Sequence, residues 1–426
     1  SNAIPFRIIN IIIHCCNSLL IFYILKTFFK NDYLNIIGGV IFLVHPIHVE
    51  SVAWISERKD LLYSLFFLLS IKSYINYLNS KGIKSYYMSI AYMLLSVLSK
   101  GQGVTLSAII ILIDYFYKNS WTRKRVLEKL PFVTISIIFS IIAVKAQQSA
   151  DAVNVGITEH YSIIQRFLLV SYGFSQYIFK YVIPYNLSAV YPYPFKHIAT
   201  IPTHYWVFPV IVIGYISLLF VEYYKSHRIN LFALLFFIIT LFPVLQIFPV
   251  GEAVMADRYL YMPLFGLILL SLSILNKFKL EKVMPKFIII SILGGFCYKS
   301  YCRSKVWSNR ELFWQVQTEQ QPNYGKGFNN LGAVFYEQGD TTKALTAFKS
   351  AIENDYKLAL LSIAVVERDK GNFQNAVDIY NSVISLYPEN IRIYKGLLLN
   401  HMDLKQDRKS TRLNSITRSS RMPSSA

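Results

Sequence analysis

The sequence has few acidic residues, little charge of either sign and few cysteines. Asp and Glu number 24 against 43 Lys and Arg, and charged residues make up 16% of the 426 residues, whereas about 25% is typical of a soluble domain. The four cysteines follow no metal-binding spacing, and we expect the adjacent pair Cys15 and Cys16 to be small packing residues rather than a disulfide. These shortages argue against a wholly soluble protein.

The chain is instead rich in apolar residues. Hydrophobic residues make up 54% of the chain and aromatic residues 15%, and the mean hydropathy is +0.38. They are concentrated in repeated runs, which predicts a polytopic membrane protein, although several runs are shorter than the roughly 20 residues that a crossing needs. The ten runs expected to cross are 8–26, 34–47, 60–78, 85–99, 103–117, 131–146, 205–224, 229–249, 258–275 and 286–301.

Lys and Arg cluster in short segments between these runs. Membrane proteins keep such segments on the cytoplasmic side, so the net charge of +19 predicts an orientation in the membrane and no nucleic-acid partner. Segments 118–131 and 276–286 are both expected inside. Both segments can lie on the cytoplasmic side only if run 164–183, which polar residues interrupt, does not cross the membrane. We predict that it is an interfacial or re-entrant helix of one external loop, 147–204.

The same orientation puts four polar clusters, and everything after residue 301, on the outer side of the membrane. Residues 45–60, HPIHVESVAWISERKD, hold seven titratable side chains, which is more than a membrane boundary requires. We therefore take this stretch as the centre of a candidate site. The clusters are His45, His48, Glu50, Glu57, Arg58, Lys59 and Asp60; Lys100 and Gln102; Tyr191 to Pro194; and Glu252 with Asp257, Arg258 and Tyr259.

Basic side chains among these clusters suit a phosphate group. Arg58, Lys59 and Arg258 are predicted to bind it, because a guanidinium grips phosphate oxygens with two hydrogen bonds. A carboxylate of the clusters could serve as general base for an acceptor hydroxyl. The other residues predicted to line the pocket are His45, His48, Glu50, Asp60, Lys100, Gln102, Asp257 and Tyr259.

Histidines in the apolar part of the chain allow two interpretations. His45, His48 and Glu50 have side chains of metal-ligand type, so a divalent metal and a structural role both stay open for them. Polar side chains inside a span are more often interhelical hydrogen-bonding groups. We favour that role for the polar residues at i, i+4 and i+7 on one face of the first run, Asn10, His14 and Asn17.

The composition turns polar and repetitive after Cys302. This change predicts a membrane domain over 1–302 and a helical repeat domain over 303–406. Ala344 and Phe348 of one unit correspond to Ala376 and Tyr380 of the next, at a spacing close to the roughly 34 residues of a tetratricopeptide repeat. The whole chain is thus expected to be all-α, with a transmembrane helix bundle followed by an α-solenoid.

Both edges of the repeat domain carry specific expectations. Ser308 and Glu311 have the spacing of a capping box, which predicts a helix after Ser308. A third repeat helix is expected from Ile391 to about Leu404. Residues 407–426 contain DRKSTRLNS and SRMPSSA, which back-translate to pieces of a common short-read sequencing adapter. We expect this segment to be translated adapter rather than native protein.

Several motifs in a fixed order carry a resemblance to a known family. HPIHVESVAWISERKD, LSKGQGVTLSAIIILIDYF, LEKLPF, YPYP and GEAVMADRYLYMPLFG occur in this order and are followed by the repeats. Over residues 4 to about 404 the chain resembles the transmembrane and tetratricopeptide-repeat proteins, and specifically their bacterial relatives. SKGQG departs from the SKP-type version of that family.

The resemblance implies an enzyme of the GT-C membrane glycosyltransferase fold. The family's eukaryotic members are protein O-mannosyltransferases, which move a sugar from a polyprenyl-phosphate carrier to Ser or Thr on the non-cytoplasmic side. It therefore implies a bacterial cytoplasmic-membrane protein whose repeats face the periplasm and bind the acceptor protein. It also implies one more span before residue 4, giving eleven, with an acidic catalytic base in its external loop. The catalytic residue is thus unknown within this sequence.

A second hypothesis is a non-catalytic membrane scaffold whose repeats recruit an envelope protein. Ten spans are many for an anchor, and polar residues inside spans are costly, so we favour the enzyme. The sequence reveals neither the sugar nor the acceptor.

Overall fold

The structure is a computed structural model, and it describes residues 4–117, 122–149, 161–193, 202–247, 251, 253–278 and 283–419. The chain forms two compact units, Ser1–Ser308 and Asn309–Ala426. The described part is almost entirely helical, so the all-α prediction is confirmed. The boundary expected at 302 lies inside a helix, Val283–Ser308, because that helix continues past the change in composition.

Helices of unequal length build the first unit. Its single described sheet has two short antiparallel strands, β1 (Tyr191–Pro192) and β2 (Ala253–Met255). The helices are α1 (Ile4–Leu25), α2 (Asp32–Val44), α3 (Val49–Ala53), α4 (Arg58–Ser80), α5 (Ile83–Ser99), α6 (Leu106–Phe116), α7 (Arg123–Leu127), α8 (Leu130–Ser149), α9 (Ile163–Val182), α10 (Val207–Tyr224), α11 (Arg228–Leu241), α12 (Leu264–Leu275) and α13 (Val283–Ser308).

Several apolar helices of this unit indicate integration into a membrane. By length and composition, four described segments could cross one: Ile4–Leu25, Ile55–Ser80, Arg123–Ser149 and Thr203–Tyr224. The pair α2 and Pro46–Ala53, bent by 42°, makes a fifth if it is one span. Other apolar helices, such as α12, are shorter than that test requires. The described residues thus give fewer long apolar helices than the ten expected, and the ten-span topology stays a prediction.

Helix α1 shows how the first unit is organised. Its polar residues Asn10, His14 and Asn17 are buried, whereas Ile8 and Ile12 are exposed. A helix with apolar residues outward and polar residues inward is suited to a lipid surround. The same helix exposes Cys15 and Cys16, so they do not pack in the interior as expected, and neither forms a disulfide.

Helices α11 and α12 cross at a glycine. A Cβ added at Gly266 would lie 2.7 Å from the carbonyl oxygen of Ala233 and 2.8 Å from the amide nitrogen of Phe237. These are backbone atoms, which cannot move aside like a flexible side chain. Gly266 is therefore required for this close crossing. It lies near the start of α12, just after the Asp257–Leu260 turn, so the crossing also helps to position that turn.

The second unit consists of paired helices. Its core residues are small or aromatic at corresponding positions: Ala344 and Ala376 are fully buried, and Phe348 and Tyr380 nearly so. The small residues let the two helices of a pair approach, and the rings fill the space beside them. The helices are α14 (Arg310–Gln320), α15 (Gly325–Glu337), α16 (Thr341–Glu353), α17 (Ala359–Asp369), α18 (Phe373–Ile384) and α19 (Ile391–Ser419).

A third repeat helix begins at Ile391, as expected, but it extends past Leu404 to Ser419. Gly396 on this helix packs on Tyr380, and an added Cβ would collide with that ring. The capping box expected from Ser308 and Glu311 is wrong, because the helix is capped one residue later. Ser308 ends α13, and Asn309 caps α14 by accepting the Leu312 N–H at 3.1 Å.

Candidate functional site

A chain of short turns between α2 and α4 forms the centre of the candidate site. Helix α2 ends at Val44 because Pro46 disfavours helical conformation at His45, which is extended. The His45 Nδ1 accepts the Ile47 N–H at 3.3 Å, which starts the next turn. The segments that follow in order are a 3₁₀ turn at Pro46–His48, α3, a second 3₁₀ turn at Ile55–Glu57, and α4.

Glu50 and Arg258 form a buried ion pair between this chain of turns and the Asp257–Leu260 turn. The Arg258 Nη1 donates to the Glu50 Oε1 at 2.6 Å, and the Arg258 backbone N–H donates to the Oε2 at 3.1 Å. The Glu50 side chain has no exposed surface and that of Arg258 is 18% exposed. These two hydrogen bonds to one carboxylate hold the Asp257–Leu260 turn in position and pair the Arg258 charge.

Glu57 connects two of the predicted phosphate-binding residues. Its Oε1 lies 3.4 Å from the Lys59 Nζ and 3.7 Å from the Arg258 Nε. The Lys59 side chain is half exposed, whereas Glu57 is buried. The structure therefore brings Lys59 and Arg258 to the same carboxylate oxygen.

Asp60 pairs with Lys100 beside this group. The Lys100 ammonium donates to the Asp60 Oδ1, and the Asp60 side chain is fully buried. The Tyr259 ring lies between the two cationic groups, 5.7 Å from the Lys100 Nζ and 4.9 Å from the Arg258 guanidinium carbon. Such distances allow cation–π attraction. Residues from three predicted clusters thus meet at one end of the helical unit.

Asp257 is held by residues from two other segments. Its Oδ1 accepts the Tyr191 hydroxyl at 2.8 Å, and its Oδ2 accepts from the Arg303 Nη2 at 3.4 Å. Burial raises the pKa of the Asp257 carboxyl, and the charge of Arg303 opposes that rise. The pairing of Tyr191 with Met255 in the β1–β2 ladder places the tyrosine here.

Arg58 lies apart from the Glu50 and Glu57 pairs. Its Nε donates to the Asn10 Oδ1 at 3.0 Å and its Nη2 to the Phe6 carbonyl at 3.1 Å, so it is attached to the first turns of α1. Its guanidinium also lies 5.4 Å from the Phe6 ring centre. The three predicted phosphate-binding residues therefore form two groups. Arg58 is hydrogen-bonded to α1, and Lys59 and Arg258 lie beside the Glu57 carboxylate.

The expected hydrogen bonds of the first helix are confirmed. The His14 Nδ1 lies 2.7 Å from the Tyr261 hydroxyl and its Nε2 3.0 Å from the Leu43 carbonyl. Asn17 donates to the same Tyr261 hydroxyl at 3.0 Å, and Asn10 donates to the Val52 carbonyl at 3.2 Å. Buried polar groups are normally satisfied in this way.

The two histidines of the central stretch differ in their partners. His45 uses both ring nitrogens, since its Nε2 lies 3.0 Å from the Tyr181 carbonyl and its Nδ1 accepts from Ile47. His48 is equally buried, but neither of its ring nitrogens has a hydrogen-bond partner among the described residues. Within those residues, no three His, Cys, Asp or Glu side chains come together to hold a metal. His45, His48 and Glu50 are thus not assembled as a ligand set.

Some functional neighbours were not predicted. Arg303 was assigned to the helical repeat domain because the composition changes at Cys302, yet it pairs with Asp257. Helix α9 supplies Lys180, which donates to the Tyr185 and Asn186 carbonyls at 3.1 Å each. Burial lowers the pKa of Lys180. The polar residues that interrupt run 164–183 were the available signal for this helix.

A few predicted residues are not brought into the cluster. The Gln102 carbonyl accepts from the Thr105 hydroxyl at 2.9 Å, and its side chain makes no hydrogen bond within the described part of the chain. Pro194, Glu252 and the parts 150–160 and 194–201 of the predicted external loop lie outside the described residues.

Comparison with known proteins finds matches to the repeats and to most of the chain. The family model "Tetratricopeptide repeat" matches residues 330–356 and 358–390, so the predicted repeats are confirmed. A protein O-mannosyl-transferase of Caenorhabditis elegans is 26% identical over 369 residues, which cover 83% of this chain and 51% of the relative. No solved structure matches the chain significantly.

Two human proteins give similar matches. Protein O-mannosyl-transferase TMTC1 of Homo sapiens is 25% identical over 424 residues, covering 86% of this chain and 48% of that protein. Protein O-mannosyl-transferase TMTC3 of Homo sapiens is 22% identical over 443 residues, covering 91% and 46%. Over most of its length the chain is therefore similar to the transmembrane and tetratricopeptide-repeat O-mannosyl-transferases. It spans about half the length of the curated relatives it matches.

Proposed function

We propose that this chain forms part of a membrane glycosyltransferase of the GT-C type. The enzyme moves a mannosyl group from a polyprenyl-phosphate carrier to Ser or Thr of a protein on the outer side of a bacterial cytoplasmic membrane. The tetratricopeptide repeats, on the periplasmic side, bind the acceptor protein. The names of the relatives support mannosyl transfer.

The observation that carries the proposal is the charged cluster at one end of an apolar helical unit. Glu50, Glu57 and Asp60 face Arg258, Lys59 and Lys100 there, with the carboxylates buried. Burying so many charged groups is costly unless they serve a purpose such as binding a charged substrate. Positive groups in such a place stabilise the phosphate that leaves when the glycosidic bond breaks.

Lys59 and Arg58 are the basic groups best placed for that phosphate. Lys59 is half exposed and its carboxylate neighbour is 3.4 Å away, so its ammonium can turn to an incoming anion. Arg58 has two hydrogen bonds to α1, through Nε and Nη2, and is partly exposed. Arg258 contributes positive charge without being free to turn to the phosphate, because its shortest hydrogen bond is to Glu50.

A transfer assay tests the proposal. The product of the complete gene is reconstituted in proteoliposomes with radiolabelled polyprenyl-phosphate mannose and a Ser/Thr-rich acceptor, and a nucleotide-linked mannose is supplied in a parallel reaction. We expect label on the acceptor only from the lipid-linked donor. Transfer from the nucleotide sugar alone would overturn the lipid-linked donor. Transfer from neither donor with folded protein would overturn the enzyme and leave the scaffold hypothesis.

Variants refine the assignment of the phosphate contacts. Arg58→Ala should lower transfer with unchanged protein level in the membrane. Arg258→Ala is a poorer test, since it leaves Glu50 buried without its partner. The double variant Glu50→Gln/Arg258→Gln removes both charges and avoids that problem. Undiminished transfer in Arg58→Ala and in the double variant would exclude these residues from the phosphate site.

A further inference from the structure

A cavity of about 380 Å³ lies beside the charged cluster in the first unit. This volume is in the range of small-molecule sites and far above that of a single water. The walls come from α1, the end of α2, the turn at Pro46–His48, α3 and the last part of α13. The lining residues include Arg7, Ile11, His14, Leu43, His45 and His48.

His48 is a polar group of this wall that has no hydrogen-bond partner in the described part of the chain. The side chain is 2% exposed, and neither Nδ1 nor Nε2 has a hydrogen-bond partner among the described residues. The other two histidines of the wall, His14 and His45, use both ring nitrogens. An imidazole offers one donor and one acceptor, and leaving their hydrogen bonds unmade in the interior is unfavourable. A ligand hydroxyl, which both donates and accepts, satisfies them.

Arg7 adds a positive charge to the same wall. Its Nη2 donates to the Trp307 carbonyl at 3.3 Å, and its Nε has no partner within the described part of the chain. Arg58, the first residue of α4, lies close by, because it donates to the Asn10 side chain and the Phe6 carbonyl of the helix that carries Arg7. A phosphate at this position would meet guanidinium groups from two segments.

The cavity has an apolar side. Ile11 and Leu43 line it and are 51% and 38% exposed, on helices that expose further apolar residues. An apolar chain attached to the phosphate can leave the cavity past these two side chains into lipid. The three parts of the wall therefore match a hydroxyl-bearing group, a phosphate and a hydrocarbon chain.

We propose that this cavity binds the phosphate-linked sugar end of a polyprenyl-phosphate hexose. His48 hydrogen-bonds a sugar hydroxyl, Arg7 binds the phosphate, and the lipid passes Ile11 and Leu43. The choice of a lipid-linked hexose rests on the proposed function. Trp54 lies next to both sites, since its ring is 6.0 Å from that of Trp307 and 5.4 Å from the Arg258 guanidinium. A sugar in the cavity is thus close to the charged cluster.

His48→Phe is the decisive variant. Phenylalanine keeps a ring of similar size and removes two polar atoms that no described residue satisfies, so the fold should be as stable as before or more so. His14→Phe is the structural comparison, because it breaks hydrogen bonds to Tyr261 and Leu43 and should lower thermal stability. Arg7→Gln tests the phosphate contact. His227→Ala and Arg123→Gln remove the same residue types elsewhere and serve as controls.

Binding is measured on the full-length protein in nanodiscs with four probes: polyprenyl-phosphate mannose, polyprenyl phosphate, mannose 1-phosphate and inorganic phosphate. We expect the lipid-linked sugar to bind best. His48→Phe should weaken it at least tenfold with little effect on sugar-free polyprenyl phosphate, and Arg7→Gln should weaken both lipids. The control variants should bind like wild type.

The outcomes separate this proposal from the proposed function. Wild-type affinity in a folded His48→Phe protein would overturn the cavity site, even if transfer is observed. Equal binding of inorganic phosphate or mannose 1-phosphate would overturn the lipid-linked ligand and indicate a site for free phosphates. Binding of the lipid-linked sugar that depends on His48, without transfer in the assay above, would retain the cavity and overturn the proposed enzyme.

Discussion

The two units of this chain bury opposite kinds of side chain. The first keeps Asn10, His14, Glu50 and Asp257 inside and exposes isoleucines and phenylalanines. The second buries alanines and aromatic rings and exposes its charges, as a protein in water does. Burial of apolar surface stabilises the second unit, whereas polar contacts between helices have to hold the first together in lipid. The same kind of substitution should therefore act differently in the two units.

The largest effect is expected at the buried ion pair of the first unit. Glu50→Gln keeps the shape of the side chain but takes from Arg258 its nearest carboxylate and leaves only the more distant Glu57, and breaking a buried pair costs about 3–5 kcal/mol. Thermal unfolding of the purified protein in detergent should show a strong loss. The double variant Glu50→Gln/Arg258→Gln should recover much of it. Equal stability of Glu50→Gln and wild type would mean that the pair does not hold these turns together.

An acidic residue on the exposed apolar surface of the first unit should affect insertion. Ile141 lies on α8 and is 53% exposed. Ile141→Asp should disfavour membrane insertion of this helix by about 2.5–3.5 kcal/mol. Glycosylation mapping of the helix in microsomes measures this. Thr342→Asp on the exposed face of α16 is the comparison and should leave its unit unchanged. Normal insertion of Ile141→Asp would argue that α8 does not face lipid.

Overpacking should destabilise the second unit by a smaller amount. Ala376 is fully buried where two helices of a repeat meet. Ala376→Leu forces those helices apart and should cost about 1–3 kcal/mol. Circular dichroism during thermal unfolding of the full-length protein follows the change. Gln374→Leu, at an exposed neighbouring position, is the control. Two variants of equal stability would contradict the close helix contact.

The smallest effect is expected at an exposed ion pair of the second unit. The Arg310 Nη1 donates to the Glu337 Oε2 at 2.6 Å, but both side chains are mostly exposed. Solvent screens such a pair, so Glu337→Gln should not change the unfolding temperature measurably. A loss like that of Glu50→Gln would show that the contrast between the two units is wrong.

The sequence predicted more of the fold than of the contacts within the site. The change of composition and the repeat spacing are local signals, and they indicated both units. The parity of basic loops predicted that residues 45–60 and Asp257–Tyr259 share one side, and they meet in the structure. The pairing of Glu50 with Arg258 could not be predicted, because the two are 208 positions apart and only the packing of the helices decides which charges meet.

Two corrections have the same physical origin. Arg303 follows the last apolar run, so its sequence context resembles that of the second unit. Helix α13 nevertheless continues without a break and places Arg303 beside Asp257. Asn309 replaces Ser308 as the helix cap because α13 ends at Ser308 itself. In both cases a helix extends further than its apolar residues do, and composition alone does not show where such a helix ends.

The central claim is that the charged end of the first unit is where a sugar phosphate is handled. The most direct measurement is the rate of transfer from polyprenyl-phosphate mannose by Lys59→Met, because Lys59 is half exposed, contacts only Glu57 among the described acidic groups and can be replaced without unfolding. Lys26→Met, which removes a lysine paired with Asp32, is the control. The account predicts a fall of at least about tenfold for Lys59→Met and none for Lys26→Met. Equal rates in the two variants, with equal protein in the membrane, would contradict it.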